Sequence, residues 1–157
     1  MKKAKHKIEN IFGPIGNFSG IIVFIAGVIM LFSSLAGFML IIIGAFVGFS
    51  FSGTTIDFDN KRIKYSNHIF GIIEIGKWVD IKSNMQIGMI RKSTNWRAYS
   101  QSNRSISVDE NDLRLVLYDE YKNQIMPIQK LKSLEKAETE LEKLCLELGL
   151  KRITKLK

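Results

Sequence analysis

IFGPIGNFSGIIVFIAGVIMLFSSLAGFMLIIIGAFVGFSFSGTTI, residues 11–56, contains no Asp, Glu, Lys, Arg or His. Its centre, residues 21–32 and 35–51, is almost wholly apolar. A hydrocarbon core about 30 Å thick takes roughly 20 apolar residues for each helix that crosses it. The uncharged stretch is too long for one crossing and matches two, joined at Ser33-Ser34-Leu35-Ala36-Gly37. The pattern therefore predicts a membrane α-helical hairpin with spans near residues 16–32 and 37–52.

The small residues inside this stretch are periodic. Gly16, Gly20, Gly27 and Ser34 recur on the first span, and Gly37, Gly44, Gly48 and Ser52 on the second. Steps of four and seven keep side chains on one helix face, and small residues let helix backbones approach closely in lipid. A turn near residues 35–36 sets Ser34 against Gly37, Gly27 against Gly44 and Gly20 against Ser52. The outward faces, rich in Ile, Leu, Phe and Val, are expected to touch lipid or another membrane protein.

Charge separates the flanks from this centre. The formal net charge is +8. Lys2, Lys3, Lys5 and Lys7 stand against Glu9 before the apolar stretch, and nineteen Lys/Arg stand against fourteen Asp/Glu after it. Basic flanks are retained in the cytoplasm, so the expected location is the cytoplasmic (inner) membrane of a bacterium, multi-pass, with both termini cytoplasmic. The N-terminus imitates a signal peptide with a small-residue site at Ser34-Leu35-Ala36, but a second apolar run follows immediately. Positive charge also suits anionic headgroups. Nucleic acid is not an expected partner, because the charges are mixed in sign and no reader motif occurs. The single cysteine, Cys145, excludes an internal disulfide.

Beyond residue 53 the pattern changes to alternation. Ile56 and Phe58 lie on one side of an Asp59-Asn60 turn, with Ile63 and Tyr65 on the other, which is a hairpin signal. Short β-prone runs follow at residues 69–75, 77–81 and 85–90. Residues 93–111 read as a polar hairpin or loop with ragged strands. Residues 113–118 form a strand, and Pro127 marks an edge or strand end in the next. Ser133 then precedes a stripe at helical spacing, Leu134, Ala137, Leu141, Leu144, Cys145 and Leu148, closed by Gly149. The expected divisions are a basic tail at 1–12, the hairpin at 13–53, a β domain at 54–150 and a basic tail at 151–157.

Strands followed by one amphipathic helix, together with "IDFDNKRIKYSNHIFG" and "IEIGKWVDI" ending at Asp80-Ile81, resemble bacterial membrane-anchored pleckstrin-homology-like (PH-like) domains. The resemblance covers about residues 54–149. It implies a mainly-β PH-like barrel capped by a C-terminal α-helix that plugs one open end. Lys61, Arg62 and Lys64 lie where phosphoinositide-binding relatives carry a basic motif, but the full spacing is not matched.

No catalytic constellation is apparent. His6 and His68 are far apart, and no metal-ligand spacing or phosphate-binding loop occurs. Asp57 and Asp59 suit a tight turn, and 109–112 lacks the spacing of a calcium loop. No cofactor is expected, and the chain is not expected to be an enzyme. The candidate contact surface is Arg91, Lys92, Trp96, Arg97, Tyr99 and Arg104, where cations interleaved with amphipathic rings suit a headgroup region. The expected role is an interaction module or accessory subunit docking on a membrane protein or a second copy of the chain. The alternative is a peripheral sensor of anionic headgroups.

Overall fold

The computed structural model of the protein describes residues 2–99 and 105–153. It is mainly β, a curled half-barrel with three helices, one of them C-terminal. Strand β1, Lys3–Asn10, is followed by helices α1, Gly13–Leu31, and α2, Ala36–Phe49. Strands β2, Phe51–Asp57, β3, Arg62–Ile69, and β4, Ile73–Asp80, complete a four-stranded antiparallel sheet in the order β1-β2-β3-β4. The second sheet takes β5, Gln86–Tyr99, β6, Ser105–Tyr118, β7, Gln124–Leu131, and the two-residue β8, Lys151–Arg152, in the order β7-β6-β5-β8. Helix α3, Leu134–Leu148, packs its apolar stripe on the core beside this sheet.

The first sheet begins earlier than the sequence suggests. Residues 3–10, expected as part of a basic tail, form β1 and pair antiparallel with β2, from Lys3↔Asp57 to Asn10↔Phe51. Lys3, Lys5 and Lys7 take alternate positions while Ile8 is buried to 2% exposure. The helices α1 and α2 therefore replace the turn of a β-hairpin, and both their outer ends start from one end of the sheet. Ile11 N donates to Ser50 O at 3.3 Å across that base.

The expectation of a multi-pass protein with both termini cytoplasmic is corrected here. Among the described residues only α1, with 19 residues, is long and apolar enough to cross a membrane. Helix α2 has 14 residues, which rise about 21 Å, short of a hydrocarbon core of about 30 Å. The uncharged stretch misled because it is not all helix. Its last residues, Phe51–Ile56, belong to β2, where Thr54, Thr55 and Ile56 are buried in the sheet.

The core of the β domain joins both sheets and α3. Ile56 and Ile63 from the first sheet meet Ile87, Met89, Leu113, Leu115, Leu117 and Ile128 from the second, under Ala137, Leu141, Leu144 and Leu148. Burial of each such aliphatic side chain stabilises by about 1.5–3 kcal/mol. Gly149 ends α3 at φ +70°, the left-handed conformation that lets its neighbour Leu150 N donate back to Cys145 O. Pro127 sits in β7 opposite Val116, where the pairing slips by one residue, so its missing N–H is accommodated. Residues 93–99 and 105–111, expected to be ragged, instead pair continuously and lengthen β5 and β6 into an arm.

Candidate functional site

The two helices pack through their glycines. A Cβ on Gly44 would lie 2.3 Å from Phe24 N, and one on Gly20 would lie 2.4 Å from Gly48 N. Gly27 faces Ile41 and Leu40, and Gly37 faces Leu31. The structure thus brings Gly20, Gly27, Gly37, Gly44 and Gly48 into one seam, but three residues out of the expected register. The cause is the turn. Ser34 makes the link rather than joining the seam, accepting from Gly37 N through its carbonyl and from Ala36 N through its hydroxyl. Ser52, expected opposite Gly20, is buried in β2 beside Glu9. At the open end Asn17 Nδ2 donates to Gly48 O, so a polar side chain in α1 is turned into the pair.

Most of the other side chains of the two helices point outward, and apart from Ser19 the exposed ones are apolar. Ile22, Ile25, Ile29, Phe38, Met39 and Ile43 are exposed, and at the tip Phe32 and Leu35 are 91% and 87% exposed. The register sets Gly20 level with Gly48, so only about the last thirteen residues of α1 stand above the end of α2. At 1.5 Å per residue the pair projects about 20 Å. Its base is ringed by aromatics: Phe12 packs edge-on against Phe46, Phe46 against Phe70, and Phe24 against Phe49. The β3–β4 turn joins this rim, with Phe70 N donating to Ser50 Oγ and Ile72 83% exposed.

The arm reaches the same base from the other side. Trp96 lies flat against Gly13, where a Cβ would stand 2.5 Å from the indole Cδ2. Gly13 also has φ +68°, so glycine serves there both for its backbone and for the ring above it. Below Trp96 is a cluster of ions. Glu9 Oε2 accepts from Arg114 Nη2 at 2.8 Å and lies 3.9 Å from Lys92 Nζ. Arg114 Nε donates to Asp112 Oδ2 at 2.5 Å, and Lys130 pairs with Glu110 and stands 4.0 Å from Asp112 Oδ1. Asp112 and Arg114 are buried. Burial alone raises the Glu9 carboxyl, but the hydrogen bond and charge of Arg114, with Lys92 and Lys130, outweigh it and hold the group below the usual range. Burial opposes the charge of Arg114 as well, and its bonds to Asp112 and Glu9 keep it firmly protonated. These ions tie β1 to β5 and β6, which fixes the base of the helices on the second sheet.

A cavity of about 260 Å³ opens between Trp96 and this cluster, lined by Lys7, Glu9, Asn10, Pro14, Glu110 and Lys130. Of the surface expected from sequence, Lys92 and Trp96 belong to this neighbourhood. Arg91 and Arg97 occupy the alternate positions of β5, so they leave on the opposite face; Arg91 lines a separate hollow with Lys132 and Leu134. The Tyr99 side chain and Arg104 lie outside the described residues. The sequence reading missed Lys7, Asn10, Lys130 and Arg114, which come from β1, β6 and β7 and share no local motif. Another grouping also went unseen: Arg62 and Lys64 stack over Trp78, 4.7 and 5.7 Å from its ring centre. Among the described residues no three His, Cys, Asp or Glu side chains converge as metal ligands would.

No protein-family model, curated protein or solved structure matches the chain.

Proposed function

We propose that the protein is a non-enzymatic interaction module anchored at a membrane surface by α1 and α2, which dip into the bilayer from one face and return. The observation that carries this reading is the outer surface of the helix pair. Apart from Ser19 it is apolar wherever it is exposed, a kind of surface that soluble monomers rarely carry, and Gly20, Gly27, Gly37, Gly44 and Gly48 are spent on internal packing. The tip supports insertion without crossing. Phe32 and Leu35 are apolar and no charge stands near them, so the tip suits hydrocarbon better than the far headgroups. A projection of about 20 Å ends inside a core about 30 Å thick.

The β domain then rests on the headgroups, with the phenylalanine rim at the edge of the hydrocarbon and Trp96, an amphipathic ring of the kind enriched at membrane interfaces, at the foot of α1. Seven antiparallel strands followed by α3 support a PH-like scaffold, with the helix pair inserted between its first two strands. Docking falls to the open edge of β4, where Ile73, Ile75 and Trp78 are exposed. An antiparallel pair of β4 strands from two copies would point the two helix pairs in opposite directions, so a strand of a different protein suits this edge when both partners share one membrane.

Flotation of the full chain with liposomes tests the anchor. The protein is expected to float and to resist extraction by alkaline carbonate. Replacing residues 11–50 with an Asn-Gly turn, which rejoins Asn10 to Phe51 in their existing pairing, is expected to give a protein that stays in the aqueous fraction. A full chain that remains soluble and monomeric without detergent or lipid would overturn the reading.

A further inference from the structure

Strand β4 is the open edge of the first sheet, and its pairing shows which backbone groups are unused. Just past its end Ile81 N donates to Lys61 O at 2.8 Å. From there the register runs without a slip from Arg62↔Asp80 to Ile69↔Ile73. In an antiparallel ladder hydrogen-bonded pairs alternate with non-bonded ones. Ile73, Ile75, Lys77 and Val79 therefore turn their N–H and C=O groups to β3. Those of Glu74, Gly76, Trp78 and Asp80 point away from the sheet. Neither a proline nor a bulge interrupts β4, so the edge is open to a further strand.

The side chains sort in the same way. Glu74 and Trp78 lie on the outer face, Glu74 against Lys64 and Trp78 beneath Arg62 and Lys64. Ile73, Ile75, Lys77 and Val79 lie on the inner face, where Val79 packs against the core. Ile73 and Ile75 nevertheless remain 55% and 56% exposed. Lys77, exposed beside them, is the one charged side chain that β4 carries on this face. An acyl chain could cover the isoleucines but would leave the edge amides and carbonyls unmet. An added strand covers both.

Direction follows from the sheet. β4 starts at the base of the helices, since the turn before it packs Phe70 on Phe46 of α2, and it runs away from that base. The sheet is antiparallel throughout, and antiparallel neighbours are the commoner kind. A strand added antiparallel to β4 runs toward the helix base and arrives beside Ile72 and Phe46. With the helix pair among acyl chains, it enters the hydrocarbon there, alongside the exposed Met39, Ile42, Ile43 and Phe46 of α2.

We infer that β4 receives the stretch immediately before a transmembrane span of a different integral membrane protein, an inference that rests on the docking and anchor readings above. Inner-face residues fall at the non-bonded pairs of the new ladder, where facing side chains are closest. In order toward its span, the partner carries a carboxylate opposite Lys77, then β-branched or aromatic residues opposite Ile75 and Ile73, with polar residues between them. Lys77 supplies the selectivity. Beside an added strand its ammonium loses water, so a basic residue opposite it is rejected and an acidic one accepted.

A synthetic peptide, Thr-Glu-Thr-Val-Thr-Val-Thr followed by an apolar helix of about 20 leucine and alanine residues, is the probe. It is reconstituted with the full chain in phosphatidylcholine vesicles, and residue-resolved hydrogen exchange reads β4. The amides of Glu74, Gly76 and Trp78 are expected to slow about tenfold, while those of Ile75 and Lys77, already bonded to β3, change little. A probe with Lys in place of Glu is expected to bind about tenfold more weakly, the swing between an attractive and a repulsive cross-strand pair. Lys77→Glu, at an exposed position that should not disturb folding, is expected to reverse that preference. No protection in the wild-type chain, protection indifferent to the charge of the probe, or equal protection by a probe whose strand follows its span overturns the inference. Protection without any probe that rises with protein density would make β4 a self-pairing edge and overturn it too. The strand peptide without its span, added to the full chain in mild detergent, separates this inference from the anchor. A chain protected by that peptide but unable to float with vesicles sinks the anchor and leaves the edge standing; one that floats but is protected by neither peptide does the reverse.

Discussion

Adding a single methyl group at Gly44 should separate the two helices. A Cβ there would stand 2.3 Å from Phe24 N and 2.6 Å from Phe24 Cα, where ordinary contact begins near 3.4 Å. Both neighbours are backbone, so no side chain can swing aside, and α2 must retreat by about 1 Å. A gap of that size forfeits a quarter to a half of each van der Waals well, and each contact is worth about 0.1–0.2 kcal/mol. Gly44→Ala should therefore cost about 1–3 kcal/mol, the usual range for overpacking. Titration of the full chain in mild detergent with sodium dodecyl sulfate measures this, with Trp96 fluorescence as one readout because its ring rests on Gly13 at the base of the pair. Ile22→Ala, on the 52% exposed outer face, is the control and should shift the midpoint much less. A Gly44→Ala midpoint equal to wild type, or equal to that of Ile22→Ala, would refute the close-packed seam.

Three further outcomes follow from the same geometry. Leu144→Ala should destabilise the β domain by about 2–5 kcal/mol, read as a lower denaturation midpoint in detergent, because Leu144 is buried in the core beneath α3; no change would misplace that helix. Gly13→Ala should displace Trp96 and strain a backbone at φ +68°, seen as a red shift and quenching of tryptophan emission. Acid should loosen β1 from the second sheet: the Glu9 carboxyl is depressed in the fold, so its contribution is complete above its unfolded value and is lost as pH falls through the folded one. Hydrogen exchange in β1 should rise over that acidic window in wild type and be already raised at neutral pH in Glu9→Gln; protection independent of pH in both would count against the ionic tie.

Part of this arrangement is legible in the residues and part is not. The seam is legible because glycine spacing records helix–helix distance directly, yet its register is not, since three residues of difference depend on how the Ser33–Leu35 turn closes. The stripe from Leu134 to Leu148 announces α3 because an amphipathic helix must show its period. β1 is hidden for the opposite reason: its alternation runs Lys-Ala-Lys-His-Lys-Ile, with Ile8 its one large aliphatic side chain, and its buried face is completed by β2 some fifty residues later. The uncharged stretch gives the apolar surface correctly but overstates the helix, because residues 51–56 are uncharged for burial in a sheet, with Ser52, Thr54 and Thr55 among the buried side chains. The cavity leaves no trace in any segment. Lys7, Asn10, Trp96, Glu110 and Lys130 converge only when the two sheets meet, and Trp96 alone stood out beforehand as a ring among cations.

The depth of the turn between α1 and α2 tests the account most directly. A fluorophore attached at Ser34→Cys, in a Cys145→Ser background, can be read in liposomes whose lipids carry quenchers at known depths along the acyl chain. Strong quenching from the hydrocarbon interior is expected, with no access for an aqueous quencher from either side of the vesicle. Quenching from the aqueous phase on the side opposite the β domain would show that the helices cross, and quenching from the same side would show that they never insert; either result would contradict it.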